Sequence, residues 1–165
     1  MILRAESPAD RAVIREITEA AFAATPHGSG TEGAIIDALR ETGTLTVSLV
    51  AETDGQIVGH IAFSPVSVAG QDVGWFGLGP ISVRPERQGQ GLGGALVREG
   101  LARLRALGAR GCVVLGDPGY YRRFGFEQDP ALRFADAPPE YFMRLVFSGT
   151  PPTGEVTYQP VFHDA

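Results

Sequence analysis

The chain has a single cysteine, Cys112, among its 165 residues, which excludes an internal disulfide framework. Its place in the apolar run GCVVLG marks it as a buried strand residue. Basic charge is also short: Lys and Arg total 14 against 19 Asp and Glu, giving a formal net charge of −5 and a pI near 5.2. A nucleic-acid surface needs a basic face, so no nucleic-acid partner is expected. No apolar run is long enough to span a bilayer. The N-terminal MILRAESPAD lacks the basic start and apolar core of a signal peptide. These absences predict a cytoplasmic protein with no membrane partner. The three histidines, His27, His60 and His163, lack the spacing of a metal site, so no metal is expected. No repeat or low-complexity linker divides the chain. Hydrophobic residues make up 44% and charged residues 20%, which predicts one ordinary domain over 1–165 with a real core.

The hydrophobic period changes along the sequence and gives the element order. ILRAE reads as a strand. In SPAD, Ser7 caps a helix, Pro8 takes its first position and Asp10 closes a capping box. Val13, Ile14, Ile17, Ala20 and Ala21 then recur at helical spacing. A second helix starts near Thr31, turns Ile35, Ile36 and Leu39 to one side, and stops at Gly43. From Thr44 the period becomes that of strands. Asp54-Gly55 and the turn near Ala69-Gly70 make a three-stranded antiparallel meander ending in VGWFGLGPISV. A helix with Val97, Leu101 and Leu104 inward follows, then the strand CVVLG. YYRRFGFE reads as a helical turn entering another strand, and YFMRLVF and EVTYQP complete a mixed α/β sheet.

What the sequence has in excess is glycine at the start of that third helix, in PERQGQGLGGALV. Each glycine inside a helix costs roughly 1 kcal/mol relative to alanine, so several in one turn imply a need for bare backbone. A helix N-terminus offers unpaired N–H groups and partial positive charge, and glycine lets a phosphate approach them. Gln88 to Gly94 therefore reads either as a phosphate cradle or as a turn that packs closely. A nucleoside triphosphate loop would need Lys-Ser/Thr after Gly94, where Ala95-Leu96 stands. Gly89 to Gly94 matches the dinucleotide pattern G-x-G-x-x-G, with Asp117 where a ribose-binding acid would sit. Against that, RPERQ separates strand from glycine, and the preceding strands are joined by hairpins.

Gln88-Gly89-Gln90-Gly91-Leu92-Gly93 is also Q-x-x-G-x-G, with LGPISVRPE before it and YYRRFGF after it. In these residues the sequence resembles the GNAT superfamily of acyl-coenzyme A-dependent N-acetyltransferases, and within it the YhbS-like branch. The resemblance covers nearly the whole chain. It implies an α/β GNAT fold: a mixed, mostly antiparallel sheet splayed in the middle, with helices on both faces. It implies acetyl-coenzyme A (acetyl-CoA) as co-substrate, with the pyrophosphate on the amides of Gln88, Gly89, Gln90, Gly91, Leu92, Gly93 and Gly94. The pantetheine arm would lie along Ile81, Ser82 and Val83, in a gap facing CVVLG. Pro80, which cannot donate to a ladder, marks that place as an edge, bulge or gap. Tyr121 matches the tyrosine that protonates the leaving thiolate, with Tyr120 before it. The family's upstream asparagine is replaced by Gly116-Asp117-Pro118-Gly119.

The implied partner is a small-molecule or peptide amine, and a homodimer is allowed. No general base stands out. No carboxylate lies between Trp75 and Val83. His60 reads as a core histidine before a catalytic one, His27 as an acceptor-pocket or solvated residue, and Glu32 and Asp117 as weak candidates. Arg122 and Arg123 read as surface charge before phosphate ligands. A non-catalytic acyl-CoA-binding module and a dinucleotide-binding domain remain as alternatives.

Overall fold

The structure, a computed structural model, describes residues 1–23 and 31–164. After β1 (Ile2–Ala5), the capping box forms as the sequence predicts. The Ser7 backbone N–H and hydroxyl both donate to Asp10 Oδ2, at 2.7 and 3.1 Å. Arg4 binds the same carboxylate at 2.7 Å and holds its pKa down at about 2. α1 (Arg11–Ala23) buries Ile14, Ile17, Thr18 and Ala21, whereas Ala20 faces solvent. α2 (Glu32–Glu41) buries Ile35, Ile36 and Leu39. Gly43 follows it at φ 73°, a left-handed stop.

The meander consists of β2 (Val47–Thr53), β3 (Gln56–Val68) and β4 (Gln71–Val83), antiparallel throughout. Both central residues of each hairpin turn, Asp54-Gly55 and Ala69-Gly70, have positive φ, which suits the right-handed strand twist. Strand alternation sends Leu49, Ala51, Ile61 and Phe63 to one face, under α3 (Leu92–Ala106). It sends Val50 and Ile57 to the other, under Ile14, Ile17 and Ile36 of α1 and α2. Helices thus cover both faces, and each buried aliphatic side chain contributes roughly 1.5–3 kcal/mol of transfer free energy.

β5 (Gly111–Leu115) runs parallel to β4, and Cys112 is buried on it as expected. α4 (Pro118–Tyr121) and a 3-10 turn over Arg122–Phe124 lead to Gly125 at φ 97°. The strand expected after this turn is reduced to a single bridge between Glu127 and Arg144. The cause is a tight turn at Asp129, whose carboxylate accepts from Ala131 N–H and whose carbonyl accepts from Leu132 N–H. β6 (Leu132–Arg133) then pairs with β8 (Gly154–Thr157), and β8 also pairs with the end of β3. β7 (Phe142–Val146) pairs with β5. The main path is β1-β2-β3-β4-β5-β7, and α5 (Pro160–Asp164) ends the described chain. Hairpin-linked antiparallel strands before the glycine loop rule out the repeated βαβ units of a dinucleotide fold.

Candidate active site

β4 and β5 pair only from Trp75–Gly111 to Leu78–Val114. Beyond Leu78 the two strands part. β4 continues to pair with β3 on its other side, as Ile81 with Ile61, Ser82 with His60 and Val83 with Gly59. Between the pairs Phe63–Leu78 and Ile61–Ile81, β4 carries one residue more than β3, a bulge that falls at Gly79-Pro80. The gap predicted from Pro80 is therefore present. The β5-facing edge of Ile81, Ser82 and Val83 has no strand partner among the described residues.

At the open end of that gap, β4 gives way to a 3-10 turn (Pro85–Arg87) and the glycine loop. Gly89 and Gly91 have φ of 80° and 81°, which demand glycine. Gly91 caps α3, and the first helical bond runs from Ala95 N–H to Gly91 C=O at 3.1 Å. The amides of Leu92, Gly93 and Gly94 precede that ladder and keep their donors. Gly93 is bare for a different reason: a Cβ there would come within 3.3 Å of the Tyr120 hydroxyl, whereas at Gly94 the nearest atom is the movable Nη1 of Arg98. The Gln88 side chain donates to Val83 C=O at 3.1 Å, tying the loop to the end of β4.

These residues enclose a cavity of about 390 Å³, walled by Val83, Gln88, Gly89, Gly91, Leu92, Gly93, Gly94, Tyr120 and three arginines, Arg87, Arg98 and Arg123. Of the expected cofactor residues, Ile81, Ser82 and Gln90 lie outside this wall. Ser82 turns its side chain away, 3.4 Å from the Thr18 hydroxyl of α1. No carboxylate or imidazole is in the wall, so on an acidic chain this is a locally positive pocket. Arg123 is exposed, as the surface-charge reading has it, but it also lines the cavity: its Nε donates to Tyr120 C=O at 3.0 Å, and its guanidinium stacks 4.6 Å from the Tyr120 ring. Arg122, its neighbour, is exposed and outside the wall. Arg98 sits 5.0 Å over Phe124. Arg87 brings a buried Nε with no hydrogen-bond partner among the described residues. Free amides, stacked guanidiniums and an orphaned donor fit a diphosphate. Which arginines line this cavity depends on the phase of α3 and the turn after α4, which the sequence alone does not fix.

Tyr121 is buried beneath this pocket rather than in its wall. Its ring packs edge-on to Tyr120 and Phe126 and against Gly116, where any side chain would collide with it. Burial pushes its phenol pKa upward, so it stays protonated at neutral pH. Asp117 is occupied as the cap of α4, accepting from Gly119 N–H at 2.9 Å. Glu32 is the first residue of α2, and His27 lies outside the described residues.

His60 is a core histidine, fully buried on β3. Its Nε2 is 2.7 Å from Ser48 Oγ, Ser48 bonds in turn to Glu6, and Arg40 pairs with Glu6 at 3.0 Å. Burial lowers the His60 pKa to about 4. A second cavity, about 750 Å³, lies among residues 128–142, with Leu132, Phe134 and Phe142 as its apolar wall and Glu140 and Glu155 among its polar groups. Among the described residues no helix is long and apolar enough to cross a membrane, and no cluster could hold a metal ion.

The domain family described as "Acetyltransferase (GNAT) domain" matches residues 45–128, from the meander to just past the Tyr-rich turn. The N-acetyltransferase YhbS of Escherichia coli K12 is 44% identical over 128 residues, covering 77% of this chain and 74% of YhbS. A GNAT family acetyltransferase from Brucella melitensis, solved with acetyl-CoA, is 54% identical, with TM-score 0.88 over 98% of this chain and 97% of that one. E. coli YhbS, solved with CoA, superposes with TM-score 0.90 at 38% identity over 98% of this chain and 91% of its own. The match runs through the splayed strands, the glycine cradle and the tyrosines alike, and the chain belongs to the GNAT acetyltransferase family.

Proposed function

We propose that this chain, as one domain over 1–165, moves an acetyl group from acetyl-CoA directly to a primary amine of a small molecule or peptide. The observation that carries this is the cradle at the mouth of the β4–β5 gap: free helix N-terminal amides ringed by Arg87, Arg98 and Arg123. The diphosphate of acetyl-CoA is held there. The pantetheine arm runs inward along Ile81–Val83, bonded to the strand edge that β5 leaves unpaired. The thioester then lies near the Gly79-Pro80 bulge, above Tyr121. The neutral amine attacks the thioester carbon, the C–S bond breaks, and Tyr121 gives its proton to the departing thiolate. A strand amide at the bulge supplies the oxyanion donor. The proton lost by the amine passes to water, and the Tyr121 phenolate takes one back from water before the next turnover. The cavity at residues 128–142 offers room for the acceptor.

Direct transfer is supported by Cys112. It is buried, and burial drives its thiol pKa upward, so it is a poor candidate for an acyl carrier. A cytoplasmic location fits a protein whose sole cysteine is a free thiol. The test is a panel of amines with acetyl-labelled acetyl-CoA. Label should pass to an amine in the panel with release of CoA. The chain's 14 basic side chains are all arginine, so it has no lysine to take the label itself. Label retained on denatured protein would mean an acyl-enzyme and would overturn direct transfer. Acetyl-CoA binding without turnover on any amine would leave a binding module.

A further inference from the structure

The C-terminal segment lies outside the matched family region, yet it reaches the same gap. β8 pairs Thr157 with Ser67 and Val156 with Val68, at the end of β3. Gln159 Nε2 donates to Pro65 C=O at 2.9 Å. Tyr158, held between these anchors, lays its ring over Gly77. A Cβ there would come within 2.9 Å of Tyr158 Cδ1 and closer still to Cε1, so no other residue at 77 would admit the ring. Gly77 pairs with Val113 and sits one residue before the last β4–β5 pair, Leu78–Val114. Phe134 braces the ring edge-on at 5.2 Å.

The Tyr158 hydroxyl is buried and has no hydrogen-bond partner among the described residues. The Ser64 hydroxyl is in the same condition, and Ser64 is the cross-strand partner of Gly77, so both stand on one face of the sheet. Two orphaned hydroxyls beside the place where β4 and β5 part call for an explanation, because leaving a buried donor unmade is costly. Burial keeps the phenol protonated. A protonated phenol can donate, and the acyl oxygen of a thioester lying in that gap can accept.

We propose that Tyr158 is a further residue of the acyl-transfer site, its hydroxyl donating to the thioester carbonyl oxygen and holding it as negative charge develops. This rests on the pantetheine arm lying between β4 and β5. It assigns to the C-terminal strap a direct part in the chemistry, with Tyr121 serving the leaving sulfur and Tyr158 the acyl oxygen.

The variant Tyr158→Phe keeps the ring over Gly77 and removes only the hydroxyl. Calorimetric titration with acetyl-CoA and with CoA separates the acyl group from the rest of the coenzyme. The variant should bind acetyl-CoA about 3- to 10-fold more weakly, the loss of one hydrogen bond, and CoA as well as the parent does. Because the hydroxyl has no partner among the described residues, the melting temperature should hold or rise. Equal affinity of variant and parent for acetyl-CoA, an equal loss for both ligands, or a clear fall in melting temperature would each overturn the inference. Failure of the parent itself to bind acetyl-CoA would instead overturn the cradle, and this inference with it.

Discussion

Leu78 and Val114 are the last pair that β4 and β5 make before they part. Downstream of the Gly79-Pro80 bulge, Ile81, Ser82 and Val83 keep their β3 partners and have none on β5. If the pantetheine arm takes the vacant edge, acetyl-CoA should slow hydrogen exchange at residues 79–83 more than anywhere in β2. Exchange mass spectrometry with and without the coenzyme reads this directly. Protection confined to other elements would place the arm elsewhere.

Arg122 and Arg123 are neighbours with different surroundings, which makes them a matched pair. Arg123 lines the cradle cavity, fixed by its bond to Tyr120 C=O, while Arg122 does not. Arg123→Gln should weaken acetyl-CoA binding about 3- to 10-fold, on the order of 1 kcal/mol, with the loss fading in high salt. Arg122→Gln should leave it unchanged. Equal effects of the two would mean that only long-range charge matters.

Tyr120 and Tyr121 should separate binding from chemistry. The Tyr120 hydroxyl lies at the cradle beside Gly93, whereas Tyr121 lies beneath it in the core. Tyr121→Phe should lower kcat by about 10²- to 10⁴-fold with little change in acetyl-CoA affinity. The loss should shrink with a donor whose thiol is more acidic, since that leaving group needs less help. Tyr120→Phe should raise KM for acetyl-CoA and spare kcat. Small and equal effects of both would reduce the tyrosines to packing.

His60 should govern the acid limb of stability. Its pKa falls from 6.5 to about 4 on folding, chiefly through burial, with Glu6 opposing and Arg40 adding to the fall. Ser48 and the Glu6–Arg40 pair are the polar groups of its chain of contacts. Above pH 6.5 the ring is neutral in both states and its contribution is complete. Between pH 6.5 and 4 only the unfolded chain takes up the proton, so stability falls with pH, by about 3 kcal/mol in all. The carboxylates of Glu6 and Asp10 are held low and add their losses only below their ordinary values of 4.5 and 3.8. Urea titrations across pH 4.5–6.5 should therefore slope steeply for the parent and be nearly flat for His60→Gln. An unchanged slope would remove His60 from the account.

The cradle and the gap were legible in the sequence because both depend on local covalent constraints. Gly89 and Gly91 need positive φ, and Pro80 cannot join a ladder. His60 was legible as core because it stands in the middle of the apolar strand IVGHIAF. The C-terminal strap was only partly so. EVTYQP reads as a strand, but nothing near it shows that Val156 and Thr157 pair with Val68 and Ser67, far back in the chain. Tyr158 acquires its place from Gly77, a glycine whose vacancy has meaning only once the two are brought together. The bridge at Glu127 replaced a strand because the Asp129 turn competes with it.

The central claim is that the amides from Gln88 to Gly94 hold the coenzyme whose acetyl group is transferred. The substitution Gly91→Glu tests it most directly, read by acetyl-CoA titration together with acetyl transfer to an amine found in the panel. Among the described residues nothing lies within 4 Å of a Cβ at position 91, so the added carboxylate would project into open space at the cradle. The left-handed φ of 81° should cost roughly 1–2 kcal/mol of stability, which circular dichroism can check leaves the variant folded. Binding should weaken at least about 100-fold, like charge now facing the diphosphate, and transfer should vanish with it. A folded variant that binds acetyl-CoA as the parent does, and still acetylates the amine, would contradict the account.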